Sequence, residues 1–146
     1  MAKMLDLIES MFRGEAPWPP VATLVGIVPK SIAPGRAVFE LEAGERHHNP
    51  MGTLHGGIFC DLADAAMGMA YAATLQDGES FTTLELKINF LKQVRRGRLI
   101  ATARVVKGGR TIGLVECDVT DEQGDLVARA SSTCMTLRSA RPAVQG

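Results

Sequence analysis

The fold of this chain is decided by the stretch from Asn49 to Gly68, which reads NPMGTLHGGIFCDLADAAMG. Its first nine residues are typical of a turn and end in two glycines. The remainder is an almost uncharged run with helical periodicity, and its only acids are Asp61 and Asp64. Two carboxylates in an apolar helix indicate either a functional site or a close partner.

The spacing of apolar residues predicts a long helix over residues 55–75. At about 100° per residue, two acids and two glycines fall within one narrow stripe of that helix, formed by Gly57, Asp61, Asp64 and Gly68. The opposite side is a wide apolar band suited to burial under a sheet, formed by Ile58, Phe59, Leu62, Ala66, Met69, Ala70 and Ala73. The helix should therefore be nearly enclosed, with the stripe left open to a substrate or to a second helix.

Before this helix, the sequence predicts one short helix and two strands. Apolar residues recur at helical spacing over residues 2–12. Residues 21–28 are mostly β-forming, and residues 37–42 alternate between apolar and acidic side chains. Pro34 and Gly35 supply the turn between these two strands.

Four further strands are predicted after the helix, at residues 81–91, 99–106, 111–120 and 126–137. In the first of them, strict alternation places Leu84, Leu86, Ile88 and Phe90 on one face, opposite Thr83, Glu85, Lys87 and Asn89. Short turns between consecutive strands predict an antiparallel meander, and the tail after Arg138 should be frayed. The expected fold class is α+β, with an antiparallel sheet of about six strands wrapped around the central helix.

Length and composition indicate one cytoplasmic domain over residues 1–146. Lys plus Arg and Asp plus Glu number 16 each, which argues against a nucleic-acid partner or a membrane surface. Asp6 and Glu9 interrupt what would be the apolar core of a signal peptide, and no uncharged run approaches the roughly 20 residues of a membrane span. The cysteines show no metal-ligand spacing and are predicted to be free thiols: Cys60, Cys117 and Cys134.

This order of elements, with a His-Gly-Gly turn at His55 opening the long helix, resembles the hotdog-fold acyl-CoA thioesterases of the phenylacetate-pathway (PaaI-like) type. Asp64 lies nine residues after that histidine, Asn49 lies six residues before it, and Thr83 is on the following strand. The combination is more specific than the His-Gly-Gly turn alone. The resemblance covers about residues 15–137, which we expect to be the core of a single hotdog thioesterase domain.

The resemblance implies a homodimer, assembled as a dimer of dimers (a homotetramer), that hydrolyses acyl-CoA between its subunits without a metal or a cofactor. It implies that Asp64 is the general base or the nucleophile and that the backbone N–H of Gly56 polarises the thioester carbonyl. Asn49 and Thr83 would orient the carbonyl, the water or the pantetheine end. Asp64 of one subunit would then work with Asn49 and Gly56 of its partner.

Physical chemistry supports these roles independently. Backbone N–H groups at a helix N-terminus carry partial positive charge and suit an oxygen that becomes negative in the transition state. Gly56 and Gly57 would let a substrate approach that backbone, although a loop-to-helix turn that only needs flexibility would also explain them. An apolar groove and the like charge of Asp61, a rim or interface acid, would destabilise the Asp64 anion and so make it a better base. His55 would either hydrogen-bond the thioester or clamp the turn.

The phosphates of coenzyme A require cations, and two turns supply them. One turn carries Lys92, Arg95, Arg96 and Arg98, and the next carries Lys107 and Arg110. A strand of about nine residues separates the turns by roughly 30 Å, so both cannot hold one phosphate group within a subunit. The glycines between Lys107 and Arg110 expose backbone N–H groups, which favours that turn. His47 and His48 are predicted to be surface loop residues rather than metal ligands.

Two other functions fit the same fold. A non-catalytic domain that binds or senses acyl-CoA is the main alternative, since fold alone does not determine function. A hotdog dehydratase or hydratase would be expected to carry its catalytic histidine in a different motif. Both aryl and short- to medium-chain acyl groups are open as substrates.

Overall fold

Six strands and three α-helices make up residues 4–139, the part of the chain that a computed structural model describes. The helices are α1 (Met4–Phe12), α2 (Pro20–Val25) and α3 (Gly56–Ala72). The strands are β1 (Ile27–Ala33), β2 (Arg36–Ala43), β3 (Glu79–Phe90), β4 (Gly97–Gly108), β5 (Ile112–Thr120) and β6 (Leu126–Arg138). None of the helices in these residues is long and apolar enough to cross a bilayer.

The strands form one antiparallel sheet in the order β1-β2-β4-β5-β6-β3, and α3 packs against its inner face. The core between them is closed by fully buried side chains from the helix and the sheet, among them Leu41, Leu62, Met67, Leu99 and Val115. This confirms the predicted α+β class with a sheet wrapped around a central helix. The predicted short N-terminal helix is also present, although the first two residues of its predicted range and the tail from Ala140 onward lie outside the described residues.

The long helix matches its prediction closely. It begins at Gly56 after the cap residue His55 and ends at Ala72. Asp61 and Asp64 are exposed, and the predicted apolar band is buried or half-buried. Gly68, however, is buried because the ring of Phe81 covers it, and a Cβ atom there would lie 3.3 Å from the ring. The stripe is therefore open at Asp61 and Asp64 but closed at its C-terminal end.

The prediction of a four-strand meander is wrong for β3. Of the four strands after α3, only β4, β5 and β6 are successive neighbours, whereas β3 pairs with β6 at the edge of the sheet and β2 pairs with β4. In this position β3 runs past the stripe of α3, with Phe81 over Gly68 and Phe90 over Gly56. The side of the helix that carries small residues thus receives the aromatic residues of an edge strand.

The predicted strict alternation of side chains along β3 is also wrong, because a β-bulge interrupts the strand. Thr83 pairs with Cys134 and Glu85 pairs with Thr133, which leaves Leu84 as an extra residue, 53% exposed. An extra residue shifts the alternation of side chains by one position. Thr83 therefore faces the helix, on the side opposite to the one predicted.

The predicted strand at residues 21–28 is a helix over most of its length. Pro20 occupies the first turn of α2, and Gly26 ends the helix in the left-handed conformation with φ of 91°. Proline at a helix start and glycine just past its end both favour this structure over the β-propensity of the valines. Strand β1 consequently begins only at Ile27.

Candidate active site

The N-terminus of α3 presents one backbone N–H that no other described residue uses. The Nδ1 atom of His55 accepts a hydrogen bond from the Gly57 N–H at 3.0 Å, and the Ile58 N–H donates to the His55 carbonyl at 3.0 Å. The Gly56 N–H has no such partner within residues 4–139. His55 therefore clamps the turn, which was one of its two predicted roles, and the Gly56 N–H is left without a partner among the described residues.

Gly56 also lies under an aromatic ring. A Cβ atom at this position would be 3.0 Å from the Cζ atom of Phe90, whose ring in turn packs against Phe59 with centroids 5.7 Å apart. The absence of a side chain lets Phe90 approach the helix N-terminus closely. The free N–H of Gly56 consequently has an apolar surface beside it.

Asn49 organises the loop that leads into α3. Its Oδ1 atom accepts hydrogen bonds from the N–H groups of Met51 at 3.0 Å and Thr53 at 3.1 Å, and its Nδ2 atom donates to the Thr53 hydroxyl at 2.9 Å. An amide nitrogen carries two hydrogens, so one donor remains. Asn49 thus has a structural role in this loop and still has an N–H to offer.

Asn49 and Gly56 line one open cleft of about 450 Å³. Its apolar wall includes Phe59 and Phe90, and Lys92 stands at its edge. Asp64 is not among its lining residues. The cleft therefore combines hydrogen-bond donors with apolar surface but contains no carboxylate.

Asp64 lies two turns further along α3, in contact with β3. The hydroxyl of Thr83 lies 3.5 Å from its Oδ1 atom, at the outer limit for a hydrogen bond. Desolvation by the surrounding protein is the main cause that raises the pKa of Asp64, the charge of Asp61 raises it further, and the contact with Thr83 opposes both. A carboxylate with a raised pKa is a stronger base than an ordinary aspartate.

Asp64 opens into a second cavity of about 210 Å³. The cavity is lined by Trp18, Pro19, Val21, Ala22, Ile27, Phe39, Asp61, Asp64, Ala65 and Met69, so its only charged residues are the two aspartates. Neither Asn49 nor Gly56 reaches it. Within one chain, the donors and the carboxylate predicted to act together face different cavities.

Comparison with known proteins identifies the family. The model of the thioesterase superfamily matches residues 51–128, which include the turn at His55, Asp64 and Thr83. The chain belongs to the thioesterase superfamily. This confirms the resemblance seen in the sequence, and it places the chain among enzymes that hydrolyse thioesters.

Three relatives illustrate the match. The 1,4-dihydroxy-2-naphthoyl-CoA hydrolase of Listeria monocytogenes is 33% identical over 109 residues, which cover 75% of this chain and 89% of that protein. Human acyl-coenzyme A thioesterase 13 is 32% identical over 105 residues, covering 70% and 74%. The crystal structure of a phenylacetic acid degradation-related protein from Ralstonia eutropha superposes with a TM-score of 0.81 at 36% identity, covering 87% of this chain and 97% of that one.

The two clusters of basic residues predicted to bind the nucleotide lie at opposite ends of β4 in this thioesterase. Lys107 and Arg110, predicted to bind the nucleotide, lie at the end of β4 remote from residues 92–98 and line neither cavity. Lys92 adjoins the Asn49 cleft, but its ammonium group is paired with Asp121 at 2.7 Å and Asp125 at 2.8 Å. The assignment of Lys107 and Arg110 to the nucleotide of coenzyme A stays a prediction. Within one subunit, the turn at residues 92–98 lies nearer to the Asn49 cleft.

His47 is a structural residue of this thioesterase that sequence reasoning placed on the surface. It is only 5% exposed, its Nδ1 atom accepts from the Gly44 N–H at 3.2 Å, and its Nε2 atom lies 2.8 Å from the Val25 carbonyl. Its own carbonyl accepts the His55 N–H at 2.9 Å. His47 thus connects α2 to the cap of α3, and no pattern in this polar loop signals such a position.

Proposed function

We propose that this thioesterase hydrolyses acyl-coenzyme A thioesters, with Asp64 as its catalytic carboxylate and residues 1–146 as one hotdog domain. The raised pKa of Asp64 at the mouth of an apolar cavity is the observation that carries the proposal. The names of two relatives refer to coenzyme A thioesters, which supports the substrate class.

The chemistry follows from these groups. Asp64 takes a proton from a water molecule, whose oxygen attacks the thioester carbon while the carbonyl oxygen becomes negative. The Gly56 N–H, strengthened by the partial positive charge of the helix N-terminus, donates to that oxygen, and the remaining Asn49 N–H is a second donor. The carbon–sulfur bond then breaks, and the thiolate of coenzyme A leaves and takes up the proton that Asp64 had accepted, which restores the carboxylate. In the alternative route, the Asp64 carboxylate attacks the carbon itself and displaces the thiolate of coenzyme A, and water then hydrolyses the resulting mixed anhydride to the free acid and the restored aspartate.

The site is proposed to form between two copies of the chain. Gly56 and Asp64 are eight residues apart on one helix, which is about 12 Å along its axis. Both groups must come within about 3 Å of the same reacting carbonyl, and an aspartate side chain is too short to close that gap. Asp64 of one copy would therefore meet Gly56 and Asn49 of another. The exposed edge strand β3, with Leu84 and Phe90 more than half exposed, offers a surface for that contact, and two such dimers would make a tetramer.

The catalytic role is tested by Asp64→Asn, measured as release of free thiol from a panel of acyl-CoA thioesters. We expect kcat to fall by about 10²–10⁴-fold, the usual contribution of a general base, with the fold and oligomer retained. Asp61→Asn is the matched control on the same stripe and should keep most of the activity. Near-normal hydrolysis by the Asp64 variant would remove the central claim.

The shared site is tested by mixing two inactive variants. Asp64→Asn and Asn49→Ala each damage every site of their own homodimer, but a mixed dimer has one site in which both residues are intact. After subunit exchange, about a quarter of the wild-type activity should return. If mixed dimers form and no activity returns, each site is built from a single chain.

A further inference from the structure

The cavity beside Asp64 has one wall that comes from outside the sheet and α3. Four of its lining residues belong to the segment from Trp18 to Val25, which we call the α2 wall: Trp18, Pro19, Val21 and Ala22. The rest of the lining comes from Ile27 and Phe39 of the sheet and from Ala65 and Met69 of α3, besides the two aspartates. Without the α2 wall the cavity would be an open groove along the helix.

Contacts at both ends hold the α2 wall in place. The indole of Trp18 packs edge-on against Phe12 of α1, with ring centroids 5.1 Å apart, and α1 is anchored by the buried Ile8. At the other end, His47 is hydrogen-bonded to the carbonyl of Val25 at 2.8 Å. The wall is therefore attached to the body of the domain at both ends.

The cavity matches a small apolar group. An engineered apolar cavity of about 150 Å³ binds benzene, so 210 Å³ has room for one aromatic ring and a short linker. Trp18 and Pro19 form part of the cavity lining, so a long alkyl chain that outgrows the cavity would press on them. Its entry would require displacement of the wall and loss of the packing between Trp18 and Phe12.

From this arrangement we infer that the α2 wall, and Trp18 above all, determines which acyl groups this thioesterase accepts. The inference rests on the proposed function, because it takes the acyl group of the substrate to occupy the cavity at Asp64. Ala22 is the second determinant, since its small side chain leaves the space that an aromatic ring would fill. The inferred substrates are CoA thioesters whose acyl group is compact enough to fit the cavity, with longer alkyl chains excluded by the wall.

The test compares kcat/KM for phenylacetyl-CoA, acetyl-CoA and dodecanoyl-CoA in three variants. Trp18→Ala removes the largest side chain of the wall and enlarges the cavity. It should raise the turnover of dodecanoyl-CoA relative to that of phenylacetyl-CoA by at least about tenfold, which is the effect of small changes in an apolar pocket. Ala22→Leu fills the cavity and should lower phenylacetyl turnover about tenfold while acetyl turnover is kept. Leu24→Ala is the matched control, because Leu24 lies on the same helix, is 80% exposed and does not line the cavity. It should leave all three ratios unchanged.

A binding measurement separates this inference from the proposed function. In the Asp64→Asn background, calorimetry with the same three thioesters should show the same order of preference and the same response to Trp18→Ala and Ala22→Leu. If the wild type hydrolyses acyl-CoA but neither variant changes the ratios, the inference is overturned and the proposed function stands. If the wild type hydrolyses none of them, the proposed function fails, and the calorimetric ranking alone decides whether the wall selects the acyl group.

Discussion

Replacing Gly113 with alanine should destabilise the domain, because a buried ring occupies the place of the new methyl group. A Cβ atom at Gly113 would overlap the Cε2 atom of Tyr71 and lie 3.1 Å from its Cδ2 atom. Tyr71 is itself buried, and its hydroxyl is hydrogen-bonded to the Thr136 hydroxyl at 2.6 Å. Its other side packs against Phe81, with ring centroids 5.8 Å apart. A shift of the ring away from Gly113 would disturb its contacts with Thr136 and Phe81.

The expected cost is the sum of two effects. Overpacking of a close-packed core costs about 1–3 kcal/mol, and loss of the bond between Tyr71 and Thr136 adds about 1 kcal/mol. The free energy of unfolding should therefore fall by about 2–4 kcal/mol. At this chain length, each kcal/mol lowers the melting temperature by about 2–4 °C.

Urea unfolding at a fixed protein concentration measures the effect, since association would otherwise shift the apparent stability. Gly108 is the matched control because it pairs with Gly113 across the hairpin, and a Cβ atom there would meet only Val105, at 3.8 Å. Gly108→Ala should stay within about 0.5 kcal/mol of the wild type, as substitutions away from packed features do. If Gly113→Ala is as stable as Gly108→Ala, the packing of Tyr71 is not as tight as described.

Three further predictions concern the site and the thiols. Thr83→Val removes a contact that lowers the pKa of Asp64, so the acid limb of the pH profile of kcat/KM should move to higher pH. Asp61→Asn removes a negative charge that raises this pKa, so the same limb should move to lower pH. A shift in the opposite direction in either variant would contradict the cause given for it. Asn49→Ala leaves two loop N–H groups without their acceptor and should cost about 1–2 kcal/mol in urea unfolding, besides its effect on turnover. Burial raises the pKa of Cys117 to about 12, so mass spectrometry should find it unmodified by a thiol reagent at neutral pH until the protein is unfolded, and rapid labelling of the native protein would refute this.

The part of the fold that could be predicted from sequence is the part determined by local pattern. Helix α3 carries a long periodic apolar band, and its acids fall on one stripe, so its position and its exposed side followed directly. The turn at Pro34 and Gly35 followed in the same way, because a two-residue loop between β-forming runs has few other structures. In both cases neighbours in sequence supply the information.

The errors arose where a stronger signal or a distant contact decided the structure. At α2, Pro20 and Gly26 outweighed valines whose propensity favours a strand, and both signals were visible in the sequence. At β3, the bulge at Leu84 changed the side that Thr83 faces, and only the pairing with β6 determines where such a bulge falls. The burial of His47 likewise depends on the carbonyl of Val25, 22 residues earlier in the chain.

The proposed site would have the same dependence on a distant partner, in this case on a second chain. A helix rises about 1.5 Å per residue, so the spacing of Gly56 and Asp64 that makes the motif recognisable also keeps the two groups apart. In an isologous contact both copies use the same surface, so a residue that meets a second residue of the partner is itself met by the partner's copy of the pair. Two α3 helices packed antiparallel would therefore place each Asp64 near the opposite Gly56 and form two equal sites. On this proposal the open stripe of α3 would be half of each site, and the α2 wall, which lies beside Asp64, would select the acyl group for the site that contains that Asp64.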